Sequence, residues 1–88
     1  MEISYTTKYL RLFRKLPKAI SEKVSERERI FRENPFDPRL ETHKLKADQS
    51  PHWAFSVDKK NRVKFIPLGE GMVEFVFVGP HNEAYKKH

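Results

Sequence analysis

Three side chains in the last third of the sequence could act on a phosphodiester: Arg62, His81 and Tyr85. A guanidinium is always charged and forks onto phosphate oxygens, so it can hold the extra negative charge of a pentacoordinate phosphorane. Histidine gives or takes a proton near neutral pH. A tyrosine can stack on a base, orient a phosphate or pack into a core. The plainer readings are an arginine guarding a strand edge, a loop histidine and an aromatic folded back onto the body of the domain.

The pattern around these residues is what would bring them together. Trp53-Ala54-Phe55-Ser56-Val57 alternates large apolar and small residues, and Asp58-Lys59-Lys60-Asn61 is a polar turn. Arg62-Val63-Lys64-Phe65-Ile66 returns as a second strand, Leu68-Gly69-Glu70-Gly71 turns again, and Met72 to Val78 makes a third. Alternation at period two with short polar or glycine-bearing connections predicts a β-meander. In an antiparallel meander the start of the second strand lies beside the end of the third. Arg62 is thereby expected close to His81 and Tyr85.

A second polar cluster is His43-Lys44-Leu45-Lys46. Leu45 is expected to point inward, with Lys44 and Lys46 projecting together on the other face. They could line an RNA groove, or serve as a solvated edge that resists aggregation. Simple meander geometry puts the start of the first hairpin strand far from Arg62, so His43 reaches the site only if its segment folds back. Lys59 and Lys60 in the turn, with Lys86 and Lys87 in the tail, complete the candidate RNA-binding set. His43 and His81 are far apart in sequence with no carboxylate at ligand spacing, so neither a metal nor another cofactor is expected. His52 reads as a strand flank, and the glycines read as turns rather than as a phosphate loop.

Eighty-eight residues allow one small domain, here residues 1–88, with a thin core. Without cysteine there is neither a disulfide nor a thiolate metal site, so two packed layers must suffice. No apolar run approaches the ~20 residues needed to span a bilayer. Met1 to Tyr5 alternates instead of forming an apolar signal, and a reduced cytoplasmic setting is the simplest expectation. Eighteen Lys and Arg against twelve Asp and Glu leave a net charge of +6, which favours acidic partners, nucleic acid first among them.

Ile3 and Tyr5 fit a first strand. Tyr9, Leu10, Phe13 and Leu16 recur at helical spacing, with Thr6 or Thr7 as N-cap. Pro17 ends that helix and can open the next, which runs roughly from Lys18 to Glu33 with Ile20, Val24, Ile30 and Phe31 as its stripe. Asn34-Pro35 breaks it. The expected order is strand, helix, helix, three strands: an α+β fold with two helices packed on one face of a twisted, mostly antiparallel sheet. The expected core is Leu10, Phe13, Leu16, Ile20, Val24, Phe31, Phe55, Val57, Val63, Phe65, Phe75 and Phe77.

With these residues placed, the chain resembles the RelE/ParE superfamily of type II toxin–antitoxin toxins, YafQ-like members among them. The resemblance rests on Asn34-Pro35, the segment His43-Lys44-Leu45-Lys46, Trp53, the strand opening Arg62-Val63 and the closing Gly79-Pro80-His81-Asn82-Glu83-Ala84-Tyr85. It spans nearly the whole chain. It implies a RelE-like fold and a metal-independent mRNA endoribonuclease acting on the ribosome through 2′-hydroxyl attack. A cognate antitoxin protein is the implied partner, and the protein would be a monomer or part of a toxin–antitoxin hetero-oligomer.

By the same resemblance, Arg62 contacts the scissile phosphate, His81 is an acid or base, Tyr85 positions the substrate and His43 matches a YafQ-type histidine. The chain also departs from relatives. Trp53 and Phe55 stand where RelE has lysines, Arg39 stands near a glutamate of YoeB-like members, and Ala47 replaces a glycine. The general base is left open. The superfamily also holds ParE-like inhibitors of DNA gyrase, and a RelE-fold binding protein without catalysis is a further alternative.

Overall fold

The computed structural model describes residues 1–46 and 51–80. Helix placement follows local chemistry. Thr6 caps α1 (Thr7–Arg14), its Oγ1 accepting from the Tyr9 N–H at 3.0 Å. Pro17 separates α1 from α2 (Lys18–Glu33). At the far end the Asn34 N–H still donates to the Ile30 carbonyl, while the Asn34 side chain accepts from the Phe36 N–H and turns the chain out of the helix. One 3-10 turn follows at Pro38–Leu40.

The strands are β1 (Glu2–Tyr5), β2 (His43–Lys44), β3 (Trp53–Ser56), β4 (Asn61–Gly69) and β5 (Met72–Pro80). They form one sheet in the order β1-β5-β4-β3-β2. β1 runs parallel to β5 and the other neighbours are antiparallel. The expected meander and N-terminal strand are present. The short β2 is a fifth strand that the sequence pattern does not announce.

Both helices cover one face of the sheet. Phe31 of α2 is fully buried, with its ring centroid 4.9 Å from those of Phe55 and Phe65 and 5.6 Å from that of Phe75. Tyr9 of α1 lies edge-on to Phe75 at 5.5 Å. Val24, Leu40, Val57, Val63, Val73 and Val78 complete this cluster, with Phe13, Leu16 and Ile20 half-buried at its rim. Tyr5 ties β1 to α2: its hydroxyl donates to Glu28, and Arg32 donates to both, 3.3 Å from Tyr5 and 3.2 Å from Glu28.

Leu10 does not belong to the core: it is 39% exposed. The buried stripe of α1 starts at Tyr9 and continues through Leu12, Phe13 and Leu16, and Leu10 falls about 100° away from Tyr9 around the helix. None of the described helices is long and apolar enough to cross a membrane.

One irregularity sets up the opposite face. Lys64 pairs with Phe77, but the next residue, Phe65, pairs with Phe75, so Val76 is an extra residue in β5. Phe75 and Phe77 are two apart and would share a face in a regular strand. The bulge turns them to opposite sides. Phe77 is buried, as expected, yet it lies outside the helix-side cluster.

Candidate functional site

Cross-strand partners share a face, so the register defines what the sheet presents away from its helices. One row is Ser56–Arg62–Gly79 and the next is His43–Ala54–Lys64–Phe77. Between them lie the helix-side partners Phe55, Val63 and Val78. Arg62 and Lys64 are thus two residues apart along β4 on the open side, about 7 Å by strand geometry. His43 lies two strands from Lys64, about 10 Å.

The loop carrying His43 does fold back. Far from sitting at the remote end of the sheet, His43 pairs with Ala54 through β2 and stands one row from Arg62. A two-residue strand is too short to show alternation, so the sequence could not reveal this pairing. The same alternation separates His43 from Lys44, which pairs with Trp53 on the helix side. Lys46 is exposed just past β2, beyond buried Leu45. Lys59 and Lys60 are exposed in the β3–β4 turn, beside Arg62. Arg62 pairs with Gly79 and Asn61 with Pro80, so the chain leaves β5 next to Arg62, as meander geometry predicts. His81, Tyr85, Lys86 and Lys87 lie outside the described residues.

Arg62 is held by its own turn. Its Nη1 donates to the Asp58 carbonyl at 2.6 Å and to the Asn61 carbonyl at 3.1 Å. Those bonds leave the donors on Nε and Nη2 for a phosphate. Asp58 makes the turn rigid: its Oδ1 accepts from the N–H groups of Lys60 at 2.8 Å and Asn61 at 2.7 Å. Burial pushes the Asp58 carboxyl up, but the Asn61 and Lys60 backbone donors, the Asn61 side chain and the Lys23 charge outweigh it and hold the carboxyl below its ordinary value.

His43 is exposed, and its Nδ1 lies 3.0 Å from the Glu41 carbonyl oxygen. A carbonyl only accepts, so Nδ1 is the donor in this contact.

Lys64 stands on the same face, and composition and motif do not single it out. Its Nζ lies 5.6 Å from the centroid of the Phe77 ring. Lys8, from the first turn of α1, approaches the same ring at 5.9 Å. Lys8 gets there because β1 pairs only with Met72–Phe75 of β5. The Thr6 N–H then donates to the Phe75 carbonyl, and α1 begins beside the rest of that strand. Burial lowers the Lys64 pKa, and the Lys8 charge lowers it further. The ring itself lies against Gly79, where a Cβ would come within 3.1 Å of Phe77 Cζ. Alternation from Arg62 was the one signal that could have picked out Lys64. Nothing in the sequence pointed to Lys8.

The open face therefore gathers Arg62, Lys64, His43 and Lys8 from three elements. It can bind anions, stabilise added charge on phosphorus and, at His43, accept a proton.

No family model and no curated protein sequence matches the chain. Solved structures do. The YoeB/ParE toxin from Agrobacterium tumefaciens superposes with a TM-score of 0.77 at 19% identity, over 92% of this chain and 99% of that one. The toxin of the E. coli DinJ–YafQ toxin–antitoxin complex gives 0.77 at 15%, over 97% of each. The archaeal RelE–RelB complex from Pyrococcus horikoshii OT3 gives 0.70 at 14%, over 90% and 92%. The chain has the RelE/ParE toxin fold.

Proposed function

We propose that the chain is the toxin of a type II toxin–antitoxin pair and a metal-independent endoribonuclease that cuts mRNA on the ribosome. The observation that carries this reading is the placement, on one face of the sheet, of a turn-anchored Arg62 one row from a His43 whose Nδ1 is held by the Glu41 carbonyl. The fold shared with toxins solved alongside DinJ and RelB supports a cognate antitoxin as partner.

In this reaction the 2′-hydroxyl oxygen attacks the adjacent phosphorus while His43 Nε2 takes its proton. Arg62 stabilises the phosphorane charge through Nε and Nη2. The bond from phosphorus to the 5′-oxygen breaks, and His81 gives that oxygen a proton. The products are a 2′,3′-cyclic phosphate and a 5′-hydroxyl. Tyr85 holds a base or phosphate in line. The nucleophile belongs to the RNA, and Arg62 supplies the positive charge. The setting is the cytoplasm, where translated mRNA is found.

Primer extension on translated mRNA tests this. Cleavage is expected to survive prior EDTA treatment of the toxin, to leave cyclic phosphate ends and to fall ~10²–10⁴-fold in His81→Ala. Products ending in a 3′-hydroxyl, or full activity of that variant, would sink the mechanism. Inhibition of gyrase supercoiling without mRNA cleavage would establish the ParE-like alternative instead.

A further inference from the structure

We infer that Lys8 and Lys64 form a second phosphodiester subsite on the open face, next to the one offered by Arg62, so that the protein grips an extended single strand at consecutive phosphates. The inference rests on the nucleic-acid reading above and deepens it. Lys8 belongs to none of the motifs that suggested chemistry.

Three observations carry it. First, two ammonium groups from different elements, α1 and β4, converge on one ring, with Nζ–centroid distances of 5.9 Å and 5.6 Å. The ring's negative face partly compensates two like charges brought so close. Second, the convergence is built by the fold. The bulge at Val76 turns Phe77 to the side away from the helices, Gly79 leaves room for its ring, and the end of β1 lets α1 bring Lys8 to this strand. Third, Lys64 stands two residues along β4 from Arg62 on the same face. That spacing, about 7 Å, is comparable to the step between successive phosphates of an extended strand.

Among the described residues, the groups placed around Lys64 are two cations, a histidine and one carboxylate. Lys8 comes from α1, His43 stands in its row on β2, and Arg62 is the next residue on this face of β4. Glu74 of β5 stands one row farther on, paired with Ile66. Burial, and after it the like charge of Lys8, works against protonation of Lys64, and a phosphate between the two amines would oppose both.

The test uses the full chain and a fluorescent single-stranded 2′-O-methyl oligonucleotide, which binds but lacks the nucleophile. Anisotropy is titrated over salt for the wild type and for Lys8→Ala, Lys64→Ala, Lys64→Arg and Lys15→Ala, with circular dichroism confirming that each is folded. Each alanine at Lys8 or Lys64 is expected to reduce the log K against log salt slope by up to about 0.7, the value for one phosphate contact on a single strand. Lys64→Arg should keep the slope, and so should Lys15→Ala at the far end of α1. With reductively methylated protein, the Lys64 amine should titrate at higher pH when the oligonucleotide is bound. A poly-glutamate peptide is the comparison ligand.

Unchanged slopes at Lys8 and Lys64, no binding by the wild type, or an effect confined to poly-glutamate would each overturn the subsite. Cleavage of translated mRNA is scored separately. A nuclease that cuts while these variants bind normally would keep the proposed function and lose only this inference.

Discussion

The two faces of this sheet are made of opposite materials, although the same strands supply both. Toward the helices, Val63 and Phe65 of β4 meet Phe31, Phe55 and Phe75 in a nest of rings. Away from them, Arg62 and Lys64 of the same strand stand beside His43, with Lys8 approaching from the edge. One side gains from excluding water. The other keeps cations half-exposed, where they can exchange water for phosphate. The lesson is that strand alternation lets a domain of this size hold a core and a site without giving up length for either.

If the faces are separable, changes on each should register in different measurements. The largest effect is expected from Phe31→Ala. Removing a fully buried ring should cost about 3–5 kcal/mol in urea unfolding, a large share of a small domain's stability. An unchanged midpoint would show that the helix side is not the stabilising one. Arg62→Ala should behave in reverse, with cleavage falling ~10²–10³-fold while the unfolding midpoint holds. A fall in both would mean that the open face also carries the fold.

Asp58→Ala sharpens the boundary, because Asp58 organises the turn on which Arg62 rests. Its folded pKa lies below the ordinary 3.8, so the carboxylate's contribution is present above that value and fades as pH falls through the folded pKa. The wild type should therefore lose more stability in acid than Asp58→Ala does. Identical acid profiles would remove Asp58 from the account. The smallest effect is expected from Thr6→Ala, about 1 kcal/mol in unfolding, with cleavage reduced only through the position of Lys8.

Much of the helix side was legible in the sequence. Pro17 and Asn34-Pro35 bracket α2 at the residues where it begins and ends, because proline and a side-chain-capping asparagine act locally. The meander was legible from alternation and its turns. Leu10 was misplaced because Tyr9 and Leu10 are neighbours and both apolar, so the stripe could be drawn through either. On the open side, Arg62 beside the end of β5 followed from topology alone. The return of His43 through β2 did not, since two residues carry no period. Lys64 was hidden in plain alternation among eighteen basic residues. Lys8 was invisible because its neighbourhood depends on where β1 stops, a tertiary fact.

The single extra residue at Val76 has an evolutionary consequence. It works as a switch of phase: upstream of it β5 is in step with the core, and downstream it is half a period out. Deleting Val76 would remove the bulge and leave Phe77 directly after Phe75, still on the opposite side and still in register with Lys64, with Val78 and Gly79 on their present sides. Point substitutions can therefore explore the open face without touching the core. A one-residue deletion elsewhere in β5 would exchange the two in a single step, so deletions should be tolerated at the bulge and purged in the rest of the strand.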